Sequence, residues 1–195
     1  MRKNILRLIV VVAMALVPAR VGMALPSPGS VRPAAAVVDP EDARFDLRQV
    51  NGRPILIVYE DKDSATLNQA LKDELAVLAK GDKYKTSVSL VPVANVEGYD
   101  YWPIRGFVKS SIRSESKKFG TTIYCDWDGA FRKALGLRAN TSSVVLIGKS
   151  ARVLFAYEGV IPKAERTRLI ELLRREVEGE LADSSELSEN ARPLP

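Results

Sequence analysis

Apolar and polar positions along this chain fall into two regimes, unbroken apolar runs and helical stripes. Ile55-Leu-Ile-Val-Tyr59 is a continuous run rich in β-branched residues, the pattern of a strand buried on both faces. Glu60-Asp61-Lys62-Asp63-Ser64 follows it with turn and N-cap chemistry. Leu67, Ala70, Leu71, Leu75 and Leu78 then recur at helical spacing. That spacing predicts a helix closed at Gly81 by a left-handed cap. Ser87 to Val96 predicts a second strand, and the strand-helix-strand order implies a parallel pair with a right-handed crossover. Gly98 to Pro103 is an aromatic loop. Ile104 to Lys118 predicts a second helix with Ile104, Phe107, Val108 and Ile112 turned inward and Gly120 as its stop.

Thr121 to Cys125 predicts a short strand, Asp126 to Gly129 a turn, and Ala130 to Leu135 a short helix ended by Gly136. Ser143 to Ile147 and Val153 to Tyr157 are two strands whose tight connection makes them an antiparallel hairpin. Pro162 marks the first turn of a last helix, with Leu169, Ile170, Leu172, Leu173 and Val177 inward. Phe45 to Val50 reads as a short opening strand. The order β-α-β-α-β-α-β-β-α fits an α/β three-layer sandwich around a mixed central sheet.

The two ends break this pattern. Met1 to Arg7 is basic, Leu8 to Val17 is apolar and uncharged, and small residues follow at Ala19, Gly22 and Ala24. This is the layout of a secretory signal. Residues 1–24 are expected to be removed after Ala24, with Ala19 as the alternative position. A membrane span needs roughly 20 apolar residues, and Pro18 and Arg20 interrupt the run before that length. Residues 25–42 are rich in proline and alanine and read as an extended linker. The folded domain is expected over 43–178. Residues 179–195 are acidic and poor in apolar residues, which predicts a disordered tail.

Charge adds little once the N-terminus is set aside. Arg2, Lys3, Arg7 and Arg20 lie in the first 24 residues, which hold no acid. The rest of the chain balances 25 basic against 24 acidic residues, so a basic footprint for nucleic acid disappears. The chain has no histidine and one cysteine, Cys125. That excludes an intramolecular disulfide and a zinc site built on several thiolates.

The order of elements resembles the thioredoxin-like superfamily, and within it the redoxin branch. Phe119 to Gly159 carries most of the likeness: a strand, Asp126-x-x-Gly129, a short helix ending Ala134-Leu135-Gly136-Leu137, a strand, and a hairpin ending Glu158-Gly159. Phe107-Val-Lys-Ser-Ser111 with Ser116-Lys-Lys118 is further similar to the YtfJ-type exported proteins, whose biochemical function is undefined. In that superfamily a CxxC follows the central strand, at the start of the next helix, where the helix N-terminus stabilises a thiolate. Here that position falls in Glu60 to Thr66 and holds no cysteine. The single reactive cysteine of redoxin peroxidases is also missing from it. The resemblance places a cis-proline before the hairpin strand, and this chain has Asn140-Thr-Ser-Ser143 there.

Four groups of residues remain as candidates. Cys125 reads first as a small packing residue and second as a lone redox thiol. Asp126 and Asp128 beside it are expected to raise its pKa. Glu60, Asp61 and Asp63 read first as capping carboxylates and second as oxygen ligands for a hard cation. Asp126 to Gly129 opens like a calcium loop, but Leu135 stands where that loop needs a glutamate. Arg105, Lys109, Arg113 and Lys117 form a basic stripe, either a solvated helix edge or a contact for an acidic partner. Tyr99, Tyr101 and Trp102 form either a buried lid or an exposed binding patch. The sequence therefore predicts a periplasmic, non-catalytic binding or scaffold module without a cofactor, contacting an envelope protein and no nucleic acid. Its alternative is a redox protein acting through Cys125. Ordinary thiol oxidoreductase or peroxidase activity is not expected.

Overall fold

The computed structural model describes residues 24–189, so the signal segment read over residues 1–24 lies, up to its last residue, outside the described part. Its centre is β3 (Ile55–Glu60), parallel to β4 (Ser89–Asn95) on one side and antiparallel to β6 (Ser143–Ile147) on the other. β5 (Tyr124–Asp126) extends the parallel set beside β4, and β7 (Val153–Glu158) closes the hairpin with β6. β1 (Ala36–Val38) and β2 (Arg44–Asp46) add an antiparallel pair outside β5. The order across the mixed sheet is β2-β1-β5-β4-β3-β6-β7.

Alternation along the central strands divides their side chains between two cores. Leu56, Val58, Val144 and Leu146 face α1 (Gln69–Leu78) and α5 (Lys163–Glu189), meeting Leu71, Leu169 and Leu173. α3 (Ile104–Phe119) packs Ile112 against Cys125 and Trp127 nearby. Ile55, Ile57, Tyr59, Val91, Val93 and Val145 face the other way, onto α4 (Ala130–Ala134) and the 3-10 turn Leu47–Gln49. α3 stops where the sequence places its end. Gly120 takes φ 63 and donates to the carbonyls of Lys117 and Ser116, a left-handed cap that costs glycine no Cβ strain.

Four expectations change. Residues 25–42 do not form a linker. They cross the second face of the sheet, with Leu25, Ala35 and Val37 in its core. The Gly29 amide donates to the Val153 carbonyl at 2.7 Å and the Arg32 amide to that of Ala151 at 2.8 Å. Proline holds this segment extended, and its widely spaced apolar residues follow no helical or strand period. Gly81 has φ −84 and is not a left-handed cap; it precedes a further short helix, α2 (Asp82–Ser87). The expected strand over 45–50 is β2 followed by the 3-10 turn, which Asp46 caps by accepting from the Arg48 amide. α5 runs on to Glu189, into the stretch assigned to a disordered tail. Leucine, alanine and glutamate there are good helix formers.

Among the described residues no helix is long and apolar enough to cross a membrane.

Candidate functional site

The three parallel strands end on one edge of the sheet, at Glu60, Asn95 and Asp126. β6 starts and β7 finishes at the same edge, where Ser143 lies opposite both Tyr59 and Glu158. This edge therefore gathers the acidic turn, the aromatic loop and the segment that the resemblance associates with proline.

The acidic turn closes on itself. Asp61 Oδ1 accepts from the Ser64 amide at 2.8 Å and the Asp63 amide at 3.1 Å. The Asp61 amide donates back to Ser64 Oγ at 3.0 Å. The expected helix capping is corrected: Asp61 closes the turn that precedes α1, and α1 itself starts after Asn68 without a side-chain cap. Glu60 turns inward, its side chain only 13% exposed. Glu60 Oε2 accepts from Lys72 Nζ at 2.6 Å, and Oε1 accepts from Ser142 Oγ at 3.1 Å. Burial raises the Glu60 pKa, and the bonds from Lys72 and Ser142 partly offset it.

Ser142 and Asn68 complete a network that pattern reading does not reveal. Both are buried. Asn68 Nδ2 donates to Ser142 Oγ and to the Gly159 carbonyl, each at 2.9 Å. Asn68 Oδ1 accepts from the Ile161 amide at 2.9 Å. One asparagine ties the start of α1 to the segments before β6 and after β7. Its only sequence signal is a polar residue beside the apolar stripe of α1.

This arrangement is poor in free ligands. Glu60 is engaged with Lys72 and Ser142, and Asp61 Oδ1 with two amides. Asp61 Oδ2 is buried without a hydrogen-bond partner, one oxygen where a hard cation needs six or more. Asp63 is exposed. Among the described residues no group of three or more histidine, cysteine, aspartate or glutamate side chains is placed to hold a metal ion.

Cys125 is 1% exposed, packed among Val96, Ile112 and Trp127. Burial pushes its thiol up to about 12. The expected contribution of Asp126 and Asp128 is corrected: the carboxylates that raise this thiol are Asp39 and Asp42. Alternation along β5 sends Asp126 to the opposite face. There it accepts from Tyr59 Oη at 3.0 Å and from the amides of Phe131 and Arg132. A buried thiol held protonated at neutral pH is neither nucleophile nor ready disulfide partner.

The aromatic loop is open. Trp102 is 91% exposed, Tyr101 57% and Tyr99 46%. Phe107, expected to face inward on α3, is 68% exposed. Val108 and Ile112, one turn apart, form the inward stripe, and Phe107 lies at its margin. The basic stripe is largely paired within the chain. Asp42 accepts from Arg105 at 2.9 Å and also from Lys109, Glu41 accepts from Arg113 at 2.7 Å, and Asp100 accepts from Arg105. Lys117 alone of the four has no partner among the described residues. The Arg105 guanidinium also lies 4.6 Å from the Trp127 ring centroid, fixing the base of the loop.

Solved structures share this architecture. A provisionally assigned thioredoxin from Neisseria meningitidis is 20% identical, with a TM-score of 0.53 over 76% of this chain and 92% of that one. A thiol peroxidase from Chromobacterium violaceum is 16% identical, with a TM-score of 0.55 over 80% and 90%. An uncharacterised conserved protein from Geobacillus kaustophilus is 14% identical, with a TM-score of 0.58 over 78% and 83%. At these identities the likeness concerns the fold, which is thioredoxin-like. No curated protein matches the chain. Residues 56–176 match the family model of bacterial proteins of unknown function YtfJ_HI0045, and the chain belongs to that family.

Proposed function

We propose that this protein is an exported, non-catalytic binding module of the bacterial envelope. It presents Tyr99, Tyr101, Trp102 and Phe107 to a protein partner. One observation carries the reading. At a single sheet edge, the position where related folds keep thiols is filled by the Glu60, Lys72, Ser142 and Asn68 network, while the adjacent loop leaves Trp102 almost wholly exposed. Exposed aromatic side chains supply large contact area at low entropic cost and are enriched among interface hot spots. The basic, apolar and small-residue order of the first 24 residues supports export. Arg105, Lys109 and Arg113 act in this reading as supports for the loop and the β1–β2 turn.

The test is capture from envelope extract with the mature chain as bait, compared with Trp102→Ala and with Tyr101→Ala/Phe107→Ala. A partner retained by the wild type and lost by both variants is expected. Thiol-dependent turnover in insulin reduction or peroxide consumption would overturn the proposal, as would capture unaffected by these substitutions.

A further inference from the structure

We infer that Asn51 is a site of spontaneous hydrolytic modification, converting to aspartate and isoaspartate through a cyclic imide closed by the backbone nitrogen of Gly52. Asn51-Gly52 is the only asparagine-glycine pair in the chain. It lies in the turn between the 3-10 turn Leu47–Gln49 and β3, and both residues are exposed. Gly52 has φ +67, and apart from its two chain neighbours no atom lies within 4 Å of where its Cβ would stand. The nitrogen that must swing toward Asn51 Cγ thus belongs to the least restricted residue type, in open space. Among the described residues neither the Asn51 carboxamide nor the Gly52 amide has a hydrogen-bond partner. No native bond has to break before ring closure.

Each of the other described asparagines differs on at least one count. Asn68 is buried with its carboxamide held by Ser142, Gly159 and Ile161. Asn95 Oδ1 accepts from the Glu97 amide at 3.1 Å, and the β-branched Val96 follows it. Asn140 is exposed, but Thr141 follows, and β-branching crowds the attacking nitrogen.

The step balances without an oxidant or reductant. The Gly52 nitrogen gives its proton to solvent base and bonds to Asn51 Cγ. The bond from Cγ to the side-chain nitrogen breaks, and ammonia leaves. Water then opens the ring at the side-chain carbonyl to give aspartate, or at the main-chain carbonyl to give isoaspartate.

Peptide mapping by mass spectrometry tests the site in the purified mature chain, held folded at neutral and at mildly alkaline pH. The peptide containing Asn51 is expected to gain about one dalton with time, faster at the higher pH, and to give an isoaspartate signal. Peptides with Asn68, Asn95 and Asn140 are expected to stay unchanged over the same interval, and Asn51→Gln to abolish the early gain. Conversion of Asn140 at the rate of Asn51, or an unchanged Asn51 peptide after prolonged incubation at the higher pH, would overturn the inference.

Discussion

Two neighbouring loops on one sheet edge have opposite characters. After β3 the chain folds its polar groups inward, and Glu60, Lys72, Ser142 and Asn68 bind one another. After β4 the chain turns its aromatic groups outward, and Tyr99, Tyr101 and Trp102 meet solvent. Buried polar groups stabilise only when they are paired. Exposed aromatic groups add little to folding and gain their free energy when a partner covers them. On the function proposed above, the first loop serves the fold and the second serves contact. Substitutions in the first should change stability with little direct effect on binding, and substitutions in the second should do the reverse.

The largest stability effect is expected at Asn68. Asn68→Ala removes three hydrogen bonds and leaves the Ile161 amide and the Gly159 carbonyl without that partner. Unsatisfied buried groups cost about 1–3 kcal/mol each before relaxation or water entry, so a loss of about 2–4 kcal/mol is expected. Chemical denaturation of the mature chain measures it. Asn68→Asp tests whether bonding rather than volume matters. It keeps the shape and the acceptor but loses both donated bonds, so it should also destabilise the chain.

Glu60 comes next, and its pH dependence has a defined sign. Its folded pKa lies above the ordinary glutamate value, with burial as the main cause. The folded state therefore holds the proton more tightly than the unfolded state does. The contribution of Glu60 is greatest below the unfolded pKa and declines as pH rises through the folded one. Glu60→Gln, which cannot titrate, should cost about 1–2 kcal/mol, limited because Lys72 is 28% exposed and partly solvated. That cost should be larger in acid and shrink toward neutral pH, as read by denaturation at several pH values. A cost that grows with pH would mean that the Lys72 pairing outweighs burial.

This division was only partly legible in the sequence. The central strand, the α1 and α3 helices and the late hairpin follow from residue order, because local periodicity is enough to specify them, although Leu67 and Phe107, expected to face inward, are exposed. β1 could not be read that way. Its three residues are held by pairing with β2 and β5 from distant parts of the chain, and prolines before it suggest a linker. The polar network was hidden for a related reason. Glu60, Asn68, Ser142 and Ile161 lie on four separate stretches, and each alone is an ordinary capping, helix or turn residue. The resemblance located the edge and the missing thiols, but it did not show what fills their place. The aromatic loop was legible as a string, whereas its exposure depends on whether neighbouring segments cover it, which sequence spacing does not encode.

Asp42 carries a smaller effect of opposite sign. Hydrogen bonds from Lys109 and Arg105 hold its carboxyl below the ordinary aspartate range. Its stabilisation is present above the unfolded pKa and lost as pH falls through the folded value. The side chain is 54% exposed, so the pairing is screened and is expected to contribute no more than about 1 kcal/mol. Asp42→Asn should cost that much at low salt and neutral pH, and nearly nothing in high salt or acid. Glu60 and Asp42 thus respond oppositely to acid. Comparing the two variants across pH separates the buried loop from the latch that holds α3 to the β1–β2 turn.

Trp102 should have the smallest effect on folding and the largest on contact. At 91% exposure its ring has almost no apolar surface to lose on unfolding. Trp102→Ala should therefore leave the denaturation midpoint within about 0.5 kcal/mol of wild type, as for surface positions generally. The same substitution should abolish retention of a partner, since interface aromatic anchors commonly account for 2 kcal/mol or more, roughly, of binding. If Trp102→Ala destabilised the chain as much as Glu60→Gln, the loop would be part of the folding core and the contrast between the two loops would fail. An unchanged midpoint together with lost capture would assign this loop to recognition, as distinct from the Asn68 network that anchors the edge beneath it.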